Sequence, residues 1–313
     1  MAGTQYLGAS AVQSLGPLQE GRHGSGVSIT EEEFRRLRDL VYEKFGINLT
    51  EEKKALVIGR LGKLIRTRGF GSFEAYIEHL QADGSGRELD ELANRISTNY
   101  TFFYRESDHF EFFRDKVLPE MTERIRKEEK KDLRVWCAGC STGEEPYTLA
   151  MIMVEYFGWE YVQWEAGLLA TDISARALQK AVSGIYPEEA LERLPAGWRS
   201  RYFKRTASGE QKVKGEIKKE VTFRRFNLMN EKFPFRKSFH VIFCRNVMIY
   251  FDQPTRNALV RRFYRSMVPG GYLFIGHSET LGRDQLGFDY VRPAIYRRKE
   301  HREEVMECLG RFG

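Results

Sequence analysis

Between residues 29 and 97, apolar positions recur three and four apart. The sets are Phe34, Leu37, Leu40, Val41 and Phe45; Leu56, Val57, Leu61, Leu64 and Ile65; Phe73, Tyr76, Ile77 and Leu80; and Leu89, Leu92 and Ile96. That spacing puts each set on one face of a helix, so four short helices are predicted. Thr30 before Glu31, Glu32 and Glu33 is an N-cap signature, and Gly46 and Gly69 mark C-terminal stops.

From residue 133 the pattern changes to short apolar runs bounded by turn residues. Strands are predicted over 133–136, 168–172, 221–226, 239–243, 272–275 and 288–298, with helices from Glu144, from Ala175 to Ala181 and from Gln253 to Met267. The last helix is expected to stop at Pro269-Gly270-Gly271, and Gly184-Ile185-Tyr186-Pro187 reads as a helix break. Residues 199–220 are basic and irregular, with weak alternation around Val213 and Ile217, which predicts a small antiparallel hairpin beside the sheet. The order βαβαββαββ predicts an α/β fold with a mainly parallel sheet covered on both faces. The expected divisions are a disordered tail over 1–27, a helical domain over 28–97, a linker and helix over 98–131, and a sheet domain over 132–298. A mobile tail is expected over 299–313.

The candidate chemistry begins where the first strand ends. LRVWCAGCSTGEEPY, residues 133–147, reads as strand, small-residue turn and helix, the unit that brings bare backbone to a ligand at the carboxyl end of a parallel strand. A P-loop needs Lys-Ser/Thr at the helix start, and Glu144 and Glu145 stand there instead. The same carboxylates would repel a dinucleotide pyrophosphate. S-adenosylmethionine carries no phosphate, and its sulfonium and amino group are cationic, so an acidic turn suits it best of the three. The second strand ends in Asp172, where a carboxylate can bond ribose hydroxyls or merely cap the next helix.

Composition narrows the class without naming a partner. Over 313 residues, 42% hydrophobic and 30% charged positions describe an ordinary globular protein with room for one large and one smaller domain. No apolar run approaches the ~20 residues that span a bilayer, so a cytoplasmic protein without direct membrane insertion is expected. Cys137 and Cys140 form a C-x-x-C, but no second Cys/His pair stands at ligand spacing, so no metal site is expected. The net charge of +6 indicates an acidic partner without specifying it. Lys53, Lys54, Arg60, Lys63, Arg66 and Arg68 surround the second helix, whose basic face is a candidate docking surface.

ISTNYTFFYRESDHF, residues 96–110, is too polar and aromatic for a plain linker. Its phenylalanines can pack two domains together, while Arg105, fixed between them, offers a rigid fork for a carboxylate.

With NYTFFYRE (99–106), WCAGCSTGEEPYT (136–148), ATDIS (170–174), SGIY (183–186), RYF (201–203), FNL (226–228), IFCRNVMIYFD (242–252) and GGYLFIGHSE (270–279) in order, the chain resembles the chemotaxis receptor methyltransferase (CheR) family. These are S-adenosylmethionine-dependent protein-glutamate O-methyltransferases. The family pattern has two phenylalanines directly before its arginine, whereas Phe103 and Tyr104 stand here.

The resemblance implies a Rossmann-like class I methyltransferase sheet, an N-terminal helical domain and a small antiparallel β-subdomain at 199–220. It implies that Asn99, Thr101 and Arg105 line the cofactor and reaction site. Glu145, with or without Glu144, would face the cofactor and Asp172 would hold its ribose. Asn227 and Leu228 would border the adenine, Arg245 and Asn246 would close the pocket, and Tyr250 would sit near the methyl. Arg105 and Tyr250 are the catalytic candidates. The implied substrate is a glutamate of the chemoreceptor helical domain, reached through the basic helix 53–68 at receptor arrays on the membrane, with S-adenosylhomocysteine as coproduct. In some members the β-subdomain grips a peptide at the receptor's C-terminus; here TASGEQ is shorter and has only Gly209, so docking without that tether is expected. For His277 and Glu279 a turn-shaping role is expected, without acid–base work.

Two rival functions fit parts of the chain. A nucleic-acid methyltransferase would suit the basic helix, but the Asn/Asp-Pro-Pro-aromatic sequence of base-amino methylation is missing, so no nucleic-acid partner is expected. A non-catalytic adaptor that senses the cofactor would not need Asn99, Arg105, Asp172 and Tyr250 together.

Overall fold

A computed structural model describes residues 27–282 and 287–300. The tails expected over 1–27 and 299–313 fall outside it, apart from Val27, Lys299 and Glu300.

Four helices open the chain: α1 (Glu31–Phe45), α2 (Lys54–Thr67), α3 (Phe73–Ala82) and α4 (Arg87–Ile96). Thr30 and Glu33 form a reciprocal cap, Thr30 Oγ1 accepting from Glu33 N–H at 3.2 Å and Glu33 Oε2 from Thr30 N–H at 2.7 Å. The predicted apolar faces converge on one core that includes Phe34, Leu37, Val57, Leu61, Tyr76 and Leu92. Leu56, assigned to the buried stripe by spacing, is exposed. The basic face is largely engaged within the domain. Lys54 pairs with Glu31, Arg68 with Glu88, Lys53 donates to Asn48 O at 2.9 Å, and Arg60 donates to Thr98 Oγ1 at 2.9 Å. Of the six cations, Lys63 and Arg66 have no side-chain hydrogen-bond or ion-pair partner among the described residues.

The connecting segment carries α5 (Ser107–Phe112) and, after a π-helical turn over Phe113–Val117, α6 (Leu118–Lys127). The sheet domain then runs β1 (Asp132–Ala138), α7 (Glu144–Phe157), β2 (Glu165–Asp172), α8 (Ala175–Ser183), β3 (Ile185–Tyr186), α9 (Trp198–Tyr202), β4 (Phe203–Arg205), β5 (Gln211–Val213), α10 (Gly215–Lys218), β6 (Val221–Arg225), β7 (Phe239–Cys244), α11 (Gln253–Ser266), β8 (Met267–Ile275), β9 (Phe288–Arg292) and β10 (Ile295–Arg298).

Seven strands form one sheet in the order β6-β2-β1-β7-β8-β10-β9. The first five are parallel, and β10 alone is reversed, pairing antiparallel with β8 on one side and β9 on the other. From β1 the chain winds outward through β2 to β6, then returns to place β7 on the other side of β1. The crevice above β1 and β7 is therefore the switch point at which doubly wound sheets bind ligands.

Three details depart from the sequence reading. The stretch Phe288 to Arg298 is a hairpin rather than one strand, turned at Pro293-Ala294, where Ala294 has φ +62°. Pro269-Gly270-Gly271 lies inside β8, which begins at Met267; the register against β7 slips there between Phe239 and Val241, so the extra residues form a bulge. Ile185-Tyr186, read as a helix break, is an edge strand of a three-stranded sheet in the order β3-β5-β4, so the subdomain begins before residue 199.

Candidate active site

The turn after β1 is fastened to the end of β2. Gly139 N–H and Cys140 N–H both donate to Thr171 O, at 2.8 and 2.9 Å, and Ser141 N–H donates to Asp172 Oδ2 at 2.8 Å. Gly139 has φ +90°, and a Cβ there would stand 2.4 Å from Val247 Cγ2, so only glycine lets the loops after β1 and β7 close together. Asp172 Oδ1 accepts from Ser174 N–H at 2.8 Å, while Ser174 caps α8. Each oxygen of this buried carboxylate thus accepts from a backbone donor. Burial pushes the Asp172 carboxyl above its usual range, opposed by those backbone donors.

The interdomain segment approaches from the opposite side. Tyr104 and Glu106 have φ of +61° and +56°, a left-handed backbone on both sides of Arg105. Arg105 Nη1 donates to Tyr100 O at 2.9 Å, and its guanidinium lies over the rings of Tyr100 and Phe102 at 5.7 and 5.9 Å. Ser141 Oγ donates to Asn99 O at 3.2 Å and ties this segment to the glycine turn.

Arg245, after β7, is almost wholly enclosed. Its guanidinium stands 2.9 Å from Glu145 Oε2 and 3.0 Å from Glu106 Oε2, lies over Phe110 at 5.0 Å, and donates to Arg105 O. The Glu145 contact is a close ion pair without hydrogen-bond alignment. Burial pushes the Glu145 carboxyl up, against the pull of Arg245. Glu106 is also pushed up by burial, but Arg245 and Asn246 outweigh that and hold it below the usual carboxylate range.

These groups frame one open crevice, with about 960 Å³ of free space counted out into its mouth. Asn99, Thr101, Arg105, Glu145, Asp172, Leu228, Arg245, Asn246 and Tyr250 all line it. Asn227 does not: its Nδ2 donates to Lys44 O at 2.7 Å and its Oδ1 accepts from Met229 N–H at 2.9 Å, so its side chain joins the two domains instead. Glu144 also points away, buried in its own turn with Oε2 accepting from Thr142 Oγ1 at 2.6 Å.

Sequence reasoning missed three contributors. Phe45 and Ile47 bring the helical domain onto the crevice wall, Ile47 bridging to Phe251 while Asn48 N–H donates to Tyr250 O at 2.8 Å. Glu106 closes the set by holding both Arg245 and Asn246, the latter through Nδ2 at 3.2 Å. It lay in view at the end of NYTFFYRE without an assigned role. Glu279 shapes its turn as expected, accepting from Gly276, Asn246 and Ile249 N–H at 2.6, 2.9 and 3.0 Å. Cys137 and Cys140 are buried thiols with pKa values pushed well up by that burial, Cys137 Sγ donating to Glu145 Oε1 at 3.2 Å.

Residues 99–296 match the CheR methyltransferase SAM binding domain, and residues 32–97 match the CheR methyltransferase all-alpha domain. The chain belongs to the CheR methyltransferase family. It is similar to the chemotaxis protein methyltransferase of Borreliella burgdorferi, 45% identical over 279 residues, covering 89% of this chain and 98% of that one. It is also similar to the chemotaxis protein methyltransferase of Escherichia coli, 35% identical over 86% of this chain and 92% of that one. Chemotaxis protein methyltransferase 2 of Pseudomonas aeruginosa is 37% identical over 80% of this chain and 87% of that one.

The crevice fits the cofactor of this family. Glu145 and Asp172 give it carboxylates suited to cationic and ribose groups, and Phe226, Leu228 and Ile173 supply an apolar wall. The chain is an S-adenosylmethionine-dependent methyltransferase.

Proposed function

We propose that this methyltransferase esterifies glutamate γ-carboxylates on the helical cytoplasmic domain of chemoreceptors, yielding glutamate methyl esters and S-adenosylhomocysteine. The observation that carries the reading is that Asp172, at the end of β2, and Arg105, in the segment between the domains, face the same crevice. In this reading Asp172 would meet the cofactor ribose and Arg105 would offer its guanidinium to an anionic side chain.

S-adenosylmethionine, when bound, supplies an electrophilic methyl group. A receptor glutamate is already ionised near neutral pH, so the chain needs to provide no general base. Positioning is the main demand. Arg105 keeps one N–H on Tyr100 O, and its remaining donors can hold one oxygen of the incoming carboxylate. The Tyr250 hydroxyl has no hydrogen-bond partner among the described residues and can orient the same carboxylate from across the crevice. Glu145 and Asp172 would hold the cofactor, and Arg245, fixed by Glu106, would keep the wall in place.

Among the described residues no helix is long and apolar enough to cross a membrane. In this reading Lys63 and Arg66 meet acidic receptor surface. The test is mass spectrometry of a receptor cytoplasmic fragment after incubation with the protein and cofactor. Added methyl on glutamates is expected, slowed by the K63E/R66E pair through a higher KM. Methyl on any other residue type overturns the reading.

A further inference from the structure

Behind the crevice wall, Glu106, His109 and His277 offer one donor atom each within 4.8 Å of one another. His109, in α5, is fully buried, and neither ring nitrogen has a hydrogen-bond partner among the described residues. A neutral imidazole carries one N–H and one lone pair, and leaving both unmet in the interior costs about 1–3 kcal/mol each. Such a group calls for a partner. Its Nδ1 is 3.6 Å from Glu106 Oε2, and its ring meets that of His277 edge to face at 4.6 Å. His277 is half-exposed, with Nε2 3.0 Å from Asp108 Oδ1.

We propose that Glu106, His109 and His277 bind one divalent transition-metal cation of the zinc type. Donors at the roughly 2.0–2.1 Å bond lengths of tetrahedral zinc stand about 3.3 Å apart, so the Glu106–His109 pair is close to that spacing and the turn bearing His277 has to move by about an ångström. Two imidazoles and one carboxylate favour Zn²⁺, Co²⁺ or Ni²⁺ over Mg²⁺ or Ca²⁺, which take oxygen donors. Asp108 stands where a carboxylate orients a ligating histidine. The cation takes no part in methyl transfer. It competes with Arg245, because Glu106 Oε2 also accepts from Arg245 Nη2 at 3.0 Å. Metal binding therefore loosens the crevice wall and weakens cofactor binding; this second statement rests on the cofactor reading, and the first does not.

The test uses chelator-treated full-length protein titrated with Co²⁺, read by visible d–d absorption, with Zn²⁺ displacement followed by calorimetry. Saturation at one ion per chain is expected, without competition from Mg²⁺. His277→Ala should lower Co²⁺ affinity about tenfold or more with an unchanged unfolding midpoint, and His109→Gln provides a second variant at the buried ligand. Absence of saturable uptake, effective competition by Mg²⁺, or wild-type affinity in His277→Ala overturns the site. In a separate arm, Zn²⁺ should weaken S-adenosylhomocysteine binding severalfold; equal affinity with and without Zn²⁺ overturns the coupling. Failure of S-adenosylhomocysteine to bind metal-free protein would instead count against the cofactor reading, leaving the Co²⁺ result to stand by itself.

Discussion

Glu106 holds Arg245 across 139 positions of sequence, with Oε2 3.0 Å from Nη2 and 3.3 Å from Nε. The arginine side chain is 1% exposed and the glutamate 13%, so the pair is sealed behind the crevice and joins the interdomain segment to the loop after β7. Removing one member of a buried pair leaves an uncompensated charge, which costs about 3–5 kcal/mol in the severe case. Glu106→Gln retains an acceptor, and Glu145 stays beside Arg245, so a smaller loss of about 1–3 kcal/mol is expected by urea unfolding. S-adenosylhomocysteine affinity should fall about tenfold by calorimetry, as Arg245 and Asn246 lose their common support. Wild-type affinity in this variant would remove Glu106 from the account of the site.

Arg105→Ala separates orientation from binding. If Arg105 holds the incoming carboxylate as proposed, turnover should fall by about a hundredfold or more while S-adenosylhomocysteine affinity changes by less than about threefold. A parallel fall in both, measured by single-turnover kinetics and calorimetry, would assign Arg105 to cofactor binding alone.

Two glycines should respond in opposite directions to the same substitution. Gly139→Ala places a methyl against Val247 at φ +90° and should destabilise by about 1–3 kcal/mol while reducing cofactor affinity. Gly59→Ala, in α2 with no atom near its Cβ position, should stabilise by up to about 1 kcal/mol. Thermal denaturation of the two variants distinguishes close packing from a general intolerance of alanine.

His240 gives a predictable acid limb to stability. Burial and nearby Arg134 and Arg124 hold its pKa down to about 4, despite Asp132 and Glu128, and its Nδ1 accepts from Arg134 N–H at 3.1 Å. The unfolded histidine binds its proton near pH 6.5 and the folded one only near 4, so this contribution is complete above 6.5 and is lost as pH falls through that window. The loss is of order 3 kcal/mol at most. His240→Asn, which keeps an acceptor but cannot titrate, should flatten the denaturation midpoint between those pH values. An unchanged slope would show that the histidine is protonated in the folded chain.

Much of the site was readable where local chemistry is dense. The acidic turn at 143–145, Asp172 at a strand end and Arg105 in an aromatic linker each carry their signal within a few residues, and the structure brings all three positions to one crevice. What could not be read depends on contacts far apart in sequence. Nothing local to Asn227 tells that Lys44 O will take its amide, or that Ile47 will bridge to Phe251. Glu106 resembles any linker carboxylate until Arg245 arrives beside it. The bulge at Pro269-Gly270-Gly271 and the turn at Pro293-Ala294 were misread for a related reason. Breaker residues announce a change of direction, but whether the strand ends or merely buckles depends on its neighbour.

The most direct test incubates the protein with methyl-labelled S-adenosylmethionine and receptor-bearing membranes from its own source, then scores labelled methanol released by mild alkali. Alkali-labile label on receptor bands is expected, reduced about a hundredfold or more in Arg105→Ala and unaffected by added polynucleotide. Label that resists alkali, or that appears on nucleic acid, would contradict it.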